Sequence, residues 1–335
     1  MSSQQGEQLY VFHTTEKGIS TEYHILPEPL FQGSFGVIRQ AVNRKTHEVC
    51  AVKTIPKSDV LHTKYAQSEV DALKCLSHPH VLKLREVYES EISVNLVTPL
   101  YTGGELFDRI LQAKNSRESS LSEREAAFLA RQMLQAVAYC HGQGVVHRDI
   151  KPENFVFESK TQKARLILID FGLSRKFSLA ESPKFMNTVL GSPYYAAPEV
   201  IAGKYTFKCD VWSVGIIVYT MLCGSFPFYE DDGVGLAEQI QRKEIAFEEP
   251  SWANISSEAK SFVRRLLCKN DTKRPSAEQT LSHSWIRANV WNSFSSDYLL
   301  AGTPLVDPTE CLQTAYRVSL NIQKHKPNCE SQLSF

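Results

Sequence analysis

The sequence is short of several things, and each shortage excludes something. No apolar run approaches the roughly 20 residues that a membrane-spanning helix needs. The longest mainly apolar stretch, 214–223, follows Cys209-Asp210-Val211-Trp212-Ser213 and reads as a buried helix. Neither sign of charge is in excess, because Lys plus Arg and Asp plus Glu each number 37 among 335 residues. Net charge therefore gives no pull toward nucleic acid or an anionic membrane. Eight cysteines are present but none forms a C-x-x-C pair, so zinc-site and thioredoxin-like spacings are both missing. Reduced thiols in a cytoplasmic protein, with nuclear access left open, are the expectation. Residues 1–8 are polar and lack the apolar core of a signal peptide, and Ser2 stands where myristoylation needs glycine. No EF-hand loop occurs, which argues against direct calcium sensing. Internal repeats and low-complexity tracts are missing too. What is there, 42% hydrophobic and 22% charged residues, suits a soluble globular chain of one large or two modest domains.

Residues up to about 20 are mostly polar and unpatterned, and 1–22 read as an N-terminal extension. From Tyr23 to Val97 the signals are mainly of strands. Stretches 35–42 and 48–55 are rich in β-branched residues, with a turn-like Asn43-Arg44-Lys45-Thr46 between them. Val70, Leu73 and Leu76 at helical spacing predict a helix over 64–76, and short strands are expected at 87–88 and 94–97. After Gly103-Gly104 the character changes to helices over 105–113 and 122–141. Ser122 with Glu125 three residues on is a capping-box start. A strand pair at 155–157 and 166–169 interrupts further helices at 210–222, 234–242, 257–267 and 276–281. A small strand-rich half followed by a larger helical half predicts two lobes with a cleft between them.

Leu30-Phe31-Gln32-Gly33-Ser34-Phe35-Gly36-Val37-Ile38 has two glycines between apparent strands; alone it is as readily a plain hairpin turn. Lys53 within Ala51-Val52-Lys53 would by itself read as a solvent-facing strand residue. Glu69 on the following helix is placed to pair with it, although surface pairs of that kind are common. The decisive run is His147-Arg148-Asp149-Ile150-Lys151-Pro152-Glu153-Asn154, followed by Asp170-Phe171-Gly172 behind a strand and then Ala197-Pro198-Glu199. Their order and spacing downstream of Lys53 and Glu69 resemble those of the eukaryotic protein kinases.

The resemblance covers about residues 23–288 and implies an α+β, bilobal protein kinase fold. It has a small antiparallel β-sheet lobe with one main helix (about 23–98), a hinge (99–102) and a larger, mainly helical lobe (103–288). It implies transfer of the ATP γ-phosphoryl group to protein hydroxyls, with ATP and Mg²⁺ as cofactors and Mn²⁺ as a substitute. By motif position Asp149 would orient the substrate hydroxyl and Lys151 would neutralise the transferring group. Asn154 and Asp170 would hold the metal through hard oxygen ligands. Lys53, positioned by Glu69, would contact the α- and β-phosphates under Gly33 and Gly36. Leu30, Ile38, Ala51 and Val156 would enclose adenine, Pro99 and Tyr101 would meet it through their backbone, and Thr98 would be a small gatekeeper. Glu105 lies at the pocket's rim. Asp210 and the pair Arg274–Glu199 resemble architectural positions of the family. One position departs: Phe31 stands where the first glycine of the loop is usual, which puts nucleotide affinity in question.

Lys151 and Gly191-Ser192-Pro193-Tyr194-Tyr195 resemble serine/threonine kinases, with Ser192 expected beside the substrate. Gly103-Gly104-Glu105-Leu106-Phe107-Asp108-Arg109-Ile110 and Gly224-Ser225-Phe226-Pro227-Phe228-Tyr229 resemble the calcium/calmodulin-dependent kinase group. Glu105 is expected to read a basic residue N-terminal to the phosphorylated one. Thr188 sits where relatives carry an activating phosphate, which Arg148 and Arg175 would bind after an upstream kinase adds it; a simple exposed threonine is the plainer reading. In the tail, 289–335, residues 309–326 form a loosely basic amphipathic pattern. Calmodulin binding, a docked helix and disorder are all open there. The competing reading of the whole is a pseudokinase-like scaffold, for which Phe31 is the only foothold.

Overall fold

The computed structural model describes residues 11–14, 18–117, 119–161, 163–177, 185–188, 191–230 and 234–289. The first lobe is a six-stranded sheet of order β1-β5-β6-β4-β3-β2. Its strands are β1 (Val11–Thr14), β2 (Tyr23–Gly33), β3 (Gly36–Asn43), β4 (Val49–Pro56), β5 (Glu86–Glu89) and β6 (Ser93–Pro99). A short helix, α1 (Ile19–Glu22), precedes β2, and α2 (Val60–Leu73) crosses between β4 and β5.

All pairings from β5 to β2 are antiparallel, but β1 joins β5 in parallel. The stretch expected to be an unpatterned extension therefore adds a strand to the sheet edge. Four residues are too few for a readable period in sequence. Helix α2 also begins a turn earlier than expected. Asp59 caps it by accepting from the His62 N–H at 2.9 Å, while Val60 and Leu61 on that first turn are exposed and break the apolar pattern.

Strand alternation sets the cleft. On β4, Cys50 and Val52 pack outward into a small cluster with Tyr23, Ala41, Tyr88 and Val97. Ala51 and Lys53 accordingly share the opposite face. In register, Ile38 and Leu96 flank Lys53, and Gln40 and Thr98 flank Ala51.

The second lobe contains α3 (Leu106–Lys114), α4 (Glu123–Gly142), α5 (Pro198–Ile201), α6 (Cys209–Cys223), α7 (Leu236–Arg242), α8 (Ser257–Leu266), α9 (Ala277–Leu281) and α10 (Ser284–Ala288). Two-stranded pairs join β7 (Val145–Val146) to β10 (Arg175–Lys176) and β8 (Phe155–Phe157) to β9 (Leu166–Leu168). Helix α6 is apolar all round and is buried along nearly its whole length, as such a helix must be. Among the described residues no helix is long and apolar enough to cross a membrane, and the six described cysteines are free thiols.

The two lobes share one continuous core running from Ile55 and α2 through α4 to α6 and α8. Backbone bonds also tie them, with Leu82 N–H on the Leu168 carbonyl and Leu168 N–H on that of His80, each at 2.9 Å.

Candidate active site

Of the four non-glycine residues with left-handed backbone angles among the described residues, two belong to the site, Arg148 at φ 69° and Asp170 at φ 63°. Such positions cost about 1–3 kcal/mol each and persist only where their surroundings hold them. Arg148 is held from α6. Asp210, buried, accepts from the Arg148 N–H on one carboxylate oxygen and from the His147 N–H on the other, both at 2.9 Å. His141 Nε2 reaches the second oxygen at 2.8 Å. Burial works to raise the Asp210 pKa, but His141 and the backbone donors outweigh it and hold the carboxyl below its ordinary value.

The loop that Asp210 braces presents Asp149. Its carboxylate lies 2.8 Å from Lys151 Nζ and 3.1 Å from Asn154 Nδ2, and it accepts from the Ser192 N–H at 3.2 Å. Burial opposes the charge on Lys151, yet Asp149 more than compensates and raises its pKa. Asn154 also donates to the Asp149 carbonyl at 2.7 Å. With both bonds made by the amide nitrogen, its Oδ1 has no protein partner among the described residues.

Asp170 follows β9, and Phe171 behind it is fully buried, edge-on to His147 at 4.8 Å between centroids. Lys53 Nζ reaches across from β4 to Asp170 Oδ1 at 3.0 Å and to both Glu69 oxygens at 2.8 and 2.9 Å. Burial disfavours the Lys53 charge, but Glu69 and Asp170 reverse this and raise its pKa. Asp170 is likewise pushed up by burial, and Lys53 and the Tyr65 hydroxyl overcome that to hold it at about 2. Its Oδ2 has no partner among the described residues. Two oxygens, Asp170 Oδ2 and Asn154 Oδ1, thus remain for a hard divalent cation, and this donor set fits one.

Above them, β2 and β3 close a hairpin in which Gly33 pairs with Gly36 and Ser34-Phe35 form the turn. Gly36 has φ 155°, and a Cβ there would stand 2.4 Å from the Thr54 carbonyl oxygen. Phe31 does not disrupt this hairpin. Its ring is 54% exposed and lies against Gly33. Leu30, Ile38 and Val156 are half-buried, Ala51 and Thr98 are buried, and Pro99 and Tyr101 follow at the lobe junction.

Two carboxylates, Glu105 and Glu153, lie within the field of Lys151, and Asp108 adjoins Glu105. Glu105 precedes α3 and its pKa is pushed up to about 7 by burial and by Asp108 and Glu153. Burial also raises Asp108 and Glu153, and Glu153 Oε2 is buried with no hydrogen-bond partner among the described residues. Glu153 and Asp108 were not singled out from sequence; the signal available was their place in Lys151-Pro152-Glu153-Asn154 and one turn beyond Glu105.

Thr188 is exposed, and its carbonyl accepts from the Tyr205 hydroxyl at 2.7 Å. Arg148 spends its guanidinium on the carbonyls of Leu173 (2.7 Å) and Ser174 (3.4 Å) and on Tyr205, while Arg175 is exposed on β10. Arg274 is fully buried and clasps Glu199 with two nitrogens, at 2.5 and 2.9 Å. Segment 309–326 lies outside the described residues.

The family model described as protein kinase domain matches residues 26–286. Calcium/calmodulin-dependent protein kinase type 1 of Macrobrachium nipponense is 41% identical over 270 residues, covering 80% of this chain and 76% of that protein. CDPK-related kinase 8 of Arabidopsis thaliana is 41% identical over 281 residues, 81% of this chain but only 45% of its own length. Myosin light chain kinase A of Dictyostelium discoideum is 39% identical over 269 residues, covering 79% and 88%.

Proposed function

The chain belongs to the protein kinase family and is a serine/threonine protein kinase of the calcium/calmodulin-dependent kinase group; from that premise we propose that it works on magnesium-bound ATP and selects proteins with a basic residue N-terminal to the phosphorylated hydroxyl. The observation that carries the substrate preference is the buried, unpartnered Glu153 oxygen among Glu105 and Asp108. Buried carboxylates are costly without a cation, and a planar guanidinium can satisfy more than one of them.

When bound, a divalent cation would neutralise the triphosphate and ease departure of the nucleoside diphosphate. Asp170 and Asn154 are the residues proposed to hold it. Lys53, fixed by Glu69, is proposed to meet the phosphates, and Ala51, Ile38, Leu30 and Val156 to enclose the base. Asp149 orients the attacking hydroxyl and takes its proton, helped by the Lys151 charge, while Ser192 keeps the carboxylate turned into the cleft. The scaffold reading has nothing left to stand on: Lys53, Asp149, Asn154 and Asp170 all converge, and Phe31 leaves the hairpin intact.

Transfer of labelled phosphate from ATP to a basic peptide library, with Mg²⁺ or Mn²⁺ and with Asp149→Asn as blank, tests the reading. Serine or threonine labelling that rises with an arginine before the target is expected. No transfer with either metal would overturn the reading, and transfer indifferent to basic residues would overturn the substrate preference. Calmodulin as a partner through 309–326 is a proposal from sequence pattern and from the name of the Macrobrachium nipponense relative, and an activating phosphate on Thr188 is one from sequence pattern alone. Capture on calmodulin with and without calcium checks the first, and activity of Thr188→Ala the second.

A further inference from the structure

Tyr65 sits where three parts of the site meet. It lies one helical turn before Glu69, so the two residues share a face of α2. The side chain is buried, 6% exposed. Its hydroxyl donates to Asp170 Oδ1 and accepts from Lys53 Nζ at 3.2 Å. Its ring stacks on Phe35, the tip of the glycine turn, with centroids 4.1 Å apart and planes 5° from parallel. The same ring presses on the backbone after Asp170: a Cβ on Gly172 would stand 1.9 Å from Tyr65 Cζ, so only glycine admits it there.

A ring placed only to fill space would need no hydroxyl. This one is buried and commits both its donor and its acceptor capacity to charged groups of the reaction centre. We propose that Tyr65 is a positioning residue for phosphoryl transfer, its hydroxyl fixing the Asp170 carboxylate for the divalent cation while its ring carries Phe35. Metal-ligand setting and closure of the glycine turn then depend on one side chain. The hydroxyl engages Oδ1 and leaves Oδ2 for the cation, so its role is to orient the ligand rather than compete for it. Partners that orient a metal ligand in this way are worth about 10–100-fold in metal affinity or activity.

The proposal rests on the kinase reading, and one experiment separates the two. Affinity for a non-hydrolysable ATP analogue is measured by calorimetry in EDTA and in saturating Mg²⁺, for the full chain and for Tyr65→Phe. Expected for Tyr65→Phe is an unchanged affinity in EDTA and about a tenfold loss of the tightening that Mg²⁺ gives. In turnover assays its half-saturating Mg²⁺ rises by a similar factor while KM for peptide stays put. The ring is read separately through Phe35→Leu, Tyr65→Leu and their combination, where the double variant should bind no worse than the weaker single one. Analogue binding by the wild-type chain together with a Tyr65→Phe variant that keeps the full Mg²⁺ effect would overturn the hydroxyl's role. Losses that multiply in the double variant would overturn the ring's. A wild-type chain that binds no nucleotide would sink the kinase reading itself, and this proposal with it.

Discussion

His62 joins helix α2 to the glycine turn, with Nε2 3.1 Å from the Ser34 carbonyl oxygen. Its Nδ1 lies 2.8 Å from the Asp59 carboxylate. Both partners are acceptors, so both ring nitrogens must carry protons for the two bonds to coexist. The pKa is raised accordingly, first by the bond to Asp59 and then by that to Ser34. The Phe35 ring is the other neighbour, 5.6 Å between centroids.

A folded pKa above the unfolded one stabilises fully below the unfolded value of about 6.5 and is lost as pH rises through the folded value. The tie to the turn should therefore loosen on the alkaline side. Nucleotide affinity of the wild type is expected to fall a few-fold from slightly acid to slightly alkaline pH relative to His62→Gln. Calorimetric titrations of both proteins at several pH values check this, and parallel profiles would count against it.

Asp210 makes a different prediction. Asp210→Asn keeps the shape but turns an amide toward the buried N–H groups that the carboxylate now receives. An orphaned buried donor costs about 1–3 kcal/mol, and Arg148 would lose what holds its left-handed backbone. Turnover should drop by about tenfold to a hundredfold, roughly the same energy, with the melting temperature lowered. The lowered folded pKa means that this stabilisation is present above the ordinary carboxylate range and is lost as pH falls through the folded value. The wild type should accordingly lose melting temperature in acid more steeply than Asp210→Asn. Thermal melts across acid pH and steady-state assays measure both effects.

Much of the fold was legible, and particular residues show why. Ser122 does accept from the Glu125 N–H, at 3.3 Å, where the capping pattern placed the start of α4. Helix α6 is buried as its apolar run required. The positions of Lys53, Asp149, Asn154 and Asp170 came from motif spacing, and the structure brings them together. Harder to see was anything set by tertiary contact. Tyr65 looked like any aromatic on a helix, although its spacing of four from Glu69 put both on one face. Glu153 sat in plain view inside the motif, but burial of its carboxylate depends on α3 packing against the catalytic loop. Strand β1 offered no period at all.

The raised pKa of Glu105, about 7, predicts how basic peptides bind the free enzyme. Below that value the carboxyl takes a proton and its attraction for a guanidinium fades, so KM for an arginine-bearing peptide should rise as pH falls from 8 to 6. Glu105→Gln should raise KM about tenfold or more at pH 8, since bonds to charged groups are worth about 1.5–3 kcal/mol, and should flatten the profile. A peptide with alanine in place of the arginine serves as control. A wild-type KM that stays level across this range would disprove the assignment.

The parallel pairing of β1 with β5 has a consequence for solubility. The outer rim of β5 is a row of amide and carbonyl groups, and the four residues Val11–Thr14 hold it closed from within the same chain. Cut away, that rim becomes an adhesive margin on which a second molecule can lay its own backbone. A shortened protein would then carry its catalytic parts unharmed and yet tend to gather into clusters.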